Sequence, residues 1–185
     1  MSGYGVMPMF SPKGIADIIT LIRAALGLFL AWLGFSRGPD SLPQAIFVMM
    51  LCWAGDYLDG KIARMNNPPR HNWIGDNDLF WDVFVSLGLG AYLVGAGYAE
   101  WIVACVYLVI WGILLWRLGL DHNLLMLVQA FIYFYFLWVA ISFAPQYGRW
   151  LIVLLAVILV LNWRRFATHV VPDFINGIKS VWRDR

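Results

Sequence analysis

Five of the eleven acidic residues of this chain, Asp56, Asp59, Asp76, Asp78 and Asp82, fall within the 27 positions from Asp56 to Asp82. Asp56 and Asp59 are three apart and Asp78 and Asp82 four apart, so on helices each pair shares one face, a turn apart. Two antiparallel helices joined by the loop from Met65 to Gly75 would bring four carboxylates together. Hard oxygen ligands of this kind suit Mg²⁺ or Mn²⁺, and four carboxylates have room for two such ions with positions left for phosphate oxygens. Gly60 and Ala63 continue the Asp56/Asp59 face and leave it without bulk, so a large ligand fits against it. Capping offers a simpler explanation for Asp76 or Asn77, which precede the following helix. It serves Asp56 and Asp59 badly, because the C-terminal end of a helix disfavours negative charge.

The elements that must position these residues follow from composition. Of 185 residues, 62% are hydrophobic and only 13% charged, with a mean hydropathy of +0.71; soluble chains carry about 45–50% and about 25%. So few charges cannot cover a water-facing surface, and 11 Trp, 8 Tyr and 12 Phe exceed what a core this small buries. A soluble domain, a disordered chain, a collagen-like fibre and a disulfide-stapled secreted domain are excluded. Cys52 and Cys105 sit in apolar runs with no His or second Cys nearby, which suggests neither a zinc site nor a redox pair.

A bilayer core of about 30 Å needs roughly 20 apolar residues in a helix. Six such runs appear: Ile15 to Phe35, Leu42 into Asp56, Leu79 to Tyr98, Trp101 to Leu118, Leu124 to Phe143 and Trp150 to Leu161. The expected fold is therefore an all-α integral membrane bundle of six transmembrane helices, with short interfacial helices at the termini. Residues 1–14 form an N-terminal juxtamembrane segment, 15–163 the membrane domain and 164–185 a basic interfacial tail. In that tail Val171, Phe174, Ile178 and Val181 recur at mostly helical spacing. From Leu42 to Asp56 the second span covers about 21 Å, so its first carboxylate enters before the core is crossed. An Asp at a span centre costs about 2.5–3.5 kcal/mol and less near the interface, so several together need a counter-charge.

Ten Lys and Arg residues fall on one side of such a bundle and two, Arg37 and Arg149, on the other, with Arg23 inside the first span. That asymmetry places both termini and the loop between the second and third spans in the cytosol. Met1 to Phe10 lacks a basic n-region and a small-residue cleavage site, so no cleavable signal peptide is expected. Arg23 lies about 12 Å into its span; it must snorkel, pair with a buried acid such as Asp17, or face the cleft.

The run Asp56-Tyr57-Leu58-Asp59-Gly60-Lys61-Ile62-Ala63-Arg64, followed by Gly75 and by Asp78-Leu79-Phe80-Trp81-Asp82, resembles the signature of the CDP-alcohol phosphatidyltransferase family. That signature reads Asp-x2-Asp-Gly-x2-Ala-Arg, a spacer, Gly, and Asp-x3-Asp. The first span carries a fainter likeness, Asp17-x2-Thr20-x2-Arg23, where the family often shows Asn-x2-Thr-x2-Arg. This chain differs in a slightly longer spacer, in Gly75 lying three rather than four positions before Asp78, and in Asp17 replacing the asparagine. The resemblance implies transfer of a phosphatidyl-type group from a CDP-activated lipid, CDP-diacylglycerol above all, to the hydroxyl of a polar alcohol, with release of CMP. It implies that Asp56, Asp59, Asp78 and Asp82 hold two divalent cations, Mg²⁺ or Mn²⁺, and that Asp82 also acts as general base. Gly60, Ala63, Arg64 and Thr20 would line the nucleotide site. The implied setting is a bacterial or archaeal inner membrane with the active site facing the cytosol. The implied partners are the CDP-lipid, the alcohol and the bilayer, with no nucleic acid; a homodimer is left open.

Arg117, Asp121 and His122 close the fourth span and Arg164 and Arg165 the sixth, all on the cytosolic side. Arg117 and Arg164 are candidates for binding a phosphate on the acceptor, glycerol 3-phosphate or inositol phosphate; the plainer reading makes them interface anchors. His71 and His169 read as surface residues, and the aromatic run from Phe131 to Trp138 as lipid-facing packing. Two other functions would use similar residues. A divalent-cation transporter places carboxylates near the midplane of broken helices, often across repeats, and no repeat is visible here. A UbiA-like prenyltransferase would carry two separated Asp-rich motifs rather than one compact group. A non-catalytic membrane adaptor is the remaining alternative.

Overall fold

The computed structural model describes residues 12–63, 78–119, 122–163 and 168. Among them the regular elements are all helical, with no strand. Helix α1 spans Pro12–Arg37, a 3-10 turn follows over Gly38–Ser41, and α2 spans Leu42–Ala63. Helices α3 (Asp78–Gly95), α4 (Trp101–Leu118), α5 (His122–Phe143) and α6 (Pro145–Leu161) complete the chain order. Their cores match the apolar runs of the sequence, and α4 has the boundaries expected. Helix α6 begins earlier than Trp150, because Pro145 sits in its first turn, where a missing N–H leaves no intrahelical bond unmade. The interfacial segments expected at the two ends of the chain lie outside the described residues.

Among the described residues, three helical stretches are long and apolar enough to cross a membrane: Gly14–Ile62, which takes in most of α1 and α2, Trp101–Leu118 and Leu124–Phe143. Phe80–Gly95 and Pro145–Leu161 are apolar but shorter. These apolar helices are compatible with a membrane protein. So is α4, on which no residue is buried and Trp101, Val103, Val109 and Trp116 stand exposed; in water an apolar surface of that extent would drive association.

Backbone contact holds the bundle at its centre. A β-carbon at Gly88 on α3 would fall 2.2 Å from the Gly27 carbonyl oxygen on α1, and one at Gly34 would fall 2.6 Å from the Tyr92 oxygen. A β-carbon at Gly95 would meet the backbone of Gly34 and Phe35 at 2.8 Å. Gly27 and Gly34 are seven residues apart, as are Gly88 and Gly95, so α1 and α3 run parallel in one register with their main chains touching. Small residues permit this approach, which among apolar surroundings is the main source of helix association. Gly148 repeats the device where α6 turns back along α5, its β-carbon position 2.7 Å from the Ala140 oxygen. Leu30, Met49, Leu89, Tyr92, Phe136 and Leu151 fill the space between α1, α2, α3, α5 and α6. Phe136 is thus a core residue, unlike Phe131, Phe134 and Trp138 of the same run, which are exposed as expected of lipid-facing rings.

Three connections meet at one end of the bundle. Pro39, Asp40, Tyr98, Phe143, Ala144 and Pro145 border a common cavity of about 380 Å³. The Tyr98 hydroxyl donates to the Pro39 oxygen (3.3 Å), and the Tyr135 hydroxyl to the Tyr98 oxygen (2.5 Å). Gly38 and Gly97 take φ of 60° and 77° in these turns, a region glycine enters without strain. Asp56, Asp59 and Asp82 lie toward the opposite end.

Candidate functional site

Asp56 and Asp59 are on the last two turns of α2, and Asp82 is one turn into α3. The two helices bring them to a common point, which is the guanidinium of Arg23 on α1. Its Nη1 lies 2.8 Å from Asp59 Oδ2 and its Nη2 lies 3.0 Å from Asp56 Oδ1. Nη2 also donates to Asp82 Oδ1. Of the alternatives open to Arg23 in the sequence, the structure shows pairing with a buried acid, and that acid is Asp59, with Asp56 and Asp82 beside it. The Thr20 hydroxyl, one turn earlier on α1, lies 3.2 Å from both Asp59 Oδ2 and the Ala16 carbonyl oxygen, and its single proton serves one of them at a time. Thr20, Arg23, Asp56, Asp59 and Asp82 therefore form one polar group in a bundle whose buried side chains are mostly apolar.

Burial is graded across the group. The side chains of Arg23 and Asp59 are 6% and 4% exposed, that of Asp82 24% and that of Asp56 47%. Asp59 is the buried anchor and Asp56 the open edge. Together the three carboxylates and the guanidinium carry two formal negative charges.

The packing that admits Arg23 is local and specific. A β-carbon at Gly55 would lie 3.1 Å from Arg23 Cδ and 3.4 Å from Ile19 Cγ2, so the absence of a side chain there lets the arginine stem lie flat against α2. Gly55 is a residue that reasoning from motifs passes over, since it precedes Asp56 and falls outside the fixed spacing. Tyr133 on α5 is another. It packs edge-on against Trp53 at 5.6 Å and lies within electrostatic reach of Asp82, Arg23 and Asp56. Its position in an aromatic run conceals it.

Gly60 continues α2 beyond Asp59 and is half-buried; Ala63 is the last residue of that helix. Asp78 opens α3, and its side chain lies outside the described residues, as does that of His122. Arg64, His71, Gly75, Asp76, Asp121, Arg164, Arg165 and His169 also lie outside them. Arg117 occupies the last turn of α4, exposed, with its guanidinium 6.0 Å from the centre of the Trp116 ring. The structure does not bring Arg117 into the group around Arg23.

Carboxylate oxygens are the donors that Mg²⁺ and Mn²⁺ prefer, so the group fits a divalent cation in donor chemistry and in the sign of its charge. In spacing it fits the guanidinium: among the described residues no three His, Cys, Asp or Glu are arranged to hold a metal ion. Arg23 stands at the focus of the three carboxylates.

The chain matches no protein-family model, no curated protein and no solved structure with which it was compared.

Proposed function

We propose that this chain is an integral membrane transferase that moves a phosphatidyl-type group from a CDP-activated lipid, CDP-diacylglycerol in the first instance, to the hydroxyl of a polar alcohol, releasing CMP. The observation that carries the reading is the convergence of Asp56, Asp59 and Asp82 from two helices upon Thr20 and Arg23 of a third, at one end of an apolar bundle. These are the positions that the family signature singles out, and Arg23 and Thr20 are those of its fainter first-span likeness.

The reaction forms a bond between the acceptor oxygen and the lipid-side phosphorus and breaks the bond from that phosphorus to the CMP oxygen. In this reading Asp82, part-exposed beside the buried pair, accepts the hydroxyl proton of the acceptor. Asp59 is held in place by Thr20 and Arg23. Gly60 and Ala63 leave the outer face of α2 open to the nucleotide, and Arg64 has the fork that matches phosphate oxygens. Asp56, Asp59, Asp78 and Asp82 would hold two divalent cations, whose contribution is to neutralise the diphosphate and the charge growing on CMP. Arg117 and Arg164 remain the candidates for a phosphate on the acceptor.

The reading takes the six helices as six spans. Supporting it, the connections at Gly38–Ser41, at Tyr98 and at Ala144 meet at one end, as alternate turns of a six-pass bundle must. Helices α3 and α6, at 18 and 17 residues, lie at the short limit of a span. The ten-to-two distribution of Lys and Arg then puts the carboxylate end in the cytosol, where CDP-lipid headgroups are met, in a bacterial or archaeal inner membrane.

The test is CMP release by the purified chain from CDP-diacylglycerol with Mg²⁺ or Mn²⁺, against glycerol 3-phosphate, inositol phosphate and serine. Release dependent on one acceptor and on the ion is expected; no release with any of them rejects the reading.

A further inference from the structure

Arg23 binds carboxylates on which a divalent cation would also draw. Asp59 Oδ2 receives Nη1 at 2.8 Å, Asp56 Oδ1 receives Nη2 at 3.0 Å, and Asp82 Oδ1 shares that second nitrogen. We propose that Arg23 is an internal counter-cation that keeps the carboxylates assembled while no divalent ion is bound, and that it and the ion compete for Asp59 and Asp82. The inference rests on the reading that these carboxylates take divalent cations, and adds how the chain manages them without one.

Three features of the group support this role. Carboxylates drawn from α2 and α3 into a low-dielectric bundle repel one another unless a positive charge stands between them. Arg23 supplies it from α1, and its planar fork of donors addresses two helices at once. Second, a doubly charged ion seated on Asp59 and Asp82 would stand beside a guanidinium that cannot shed its proton, so each weakens the hold of the other. Third, the guanidinium has somewhere to go. Asp56, already in contact with Nη2, is the open edge of the group, 47% exposed against 6% for Arg23. A turn of the side chain toward Asp56 would free the inner oxygens without moving a helix.

Competition is reciprocal: if the ion weakens the contacts of Arg23, removing Arg23 must strengthen the ion by the same factor. The experiment measures Mn²⁺ binding, by the electron paramagnetic resonance of free Mn²⁺, to the purified full chain and to Arg23→Gln and Arg23→Lys, with thermal unfolding followed in EDTA and in excess Mn²⁺. For Arg23→Gln the inference expects a lower unfolding temperature in EDTA, a larger recovery on adding Mn²⁺ than in the wild type, and Mn²⁺ binding tighter by about tenfold or more, the scale of one lost charge-assisted hydrogen bond. Arg23→Lys keeps the charge without the fork and should fall between the two; it also decides the matter where Arg23→Gln cannot be purified. Wild-type or weaker Mn²⁺ affinity in the variants overturns the inference and leaves the metal-dependent reading standing. Absence of Mn²⁺ binding in wild type and variants alike overturns both. No arm depends on CMP release.

Discussion

Nη1 of Arg23 lies 2.8 Å from Oδ2 of Asp59, and both side chains are almost wholly withdrawn from the surroundings of the bundle. The two residues are 36 positions apart in the chain and belong to different helices. A contact of this kind makes the two halves of the polar group depend on each other: a charge that loses its partner in such a place has no solvent to turn to.

Asp59→Asn is therefore expected to abolish CMP release and to lower stability as well, by about 3–5 kcal/mol if the buried pair behaves as others do. Asp82→Asn should abolish release with a smaller loss of stability, since its carboxylate is part-exposed. Asp56→Asn should affect stability least of the three. Paired measurements of CMP release and of thermal unfolding in detergent check the order. Equal stability losses at all three positions would contradict the burial gradient.

Gly88→Ala should be tolerated poorly, because the added carbon meets main chain and not a movable side chain: 2.2 Å to the Gly27 oxygen. A loss of about 1–3 kcal/mol is expected from forced separation of α1 and α3. Gly112→Ala on α4, where nothing lies within 4 Å, is the matched control. It should leave unfolding unchanged or raise it slightly, by up to about 1 kcal/mol from helix propensity. Thermal unfolding of the two variants side by side distinguishes packing from propensity.

Topology is tested with single cysteines in a background where Cys52 and Cys105 are replaced by Ala. A cysteine at Pro39, in the 3-10 turn, should react with impermeant maleimide added outside intact cells. One at Pro68, between α2 and α3, should react only after the cells are opened. The reverse pattern would put the carboxylate end outside, away from any cytosolic CDP-lipid headgroup.

If the acceptor carries a phosphate, Arg117→Ala or Arg164→Ala should raise its KM by roughly tenfold to a hundredfold, the worth of one or more charge-assisted hydrogen bonds, with less effect on the CDP-lipid. Unchanged KM in both variants would leave Arg117 as the interface anchor that its contact with Trp116 suggests.

Much of this arrangement was legible in the sequence because it depends on local rules. Run length and polar punctuation gave the helices, and the i, i+3 spacing of Asp56 and Asp59 gave their common face. That an arginine inside an apolar run could pair with an acid was also legible, but not which acid. Asp17 is near in sequence, whereas Asp59 and Asp82 are brought to Arg23 by the register of three packed helices. Between α1 and α3 that register is set by Gly27, Gly34, Gly88 and Gly95, and nothing local marks these four among 17 glycines as the ones where those two backbones touch. Tyr133 was hidden for a related reason: an aromatic residue in an aromatic run shows no preference for lipid or interior until its neighbours are known.

The two glycine contacts between α1 and α3, seven residues apart, act as a vernier. Sliding one helix along the other by a turn, about 5.4 Å, would force side chains into both notches at once, so axial translation is blocked. The span between Arg23 on one rail and Asp82 on the other is then a constant of the backbone. If the chain works as proposed, a change in the contact between Arg23 and Asp82 must then come from rotation of side chains about their own bonds, and a lateral gate for a lipid would open along helices other than this locked pair.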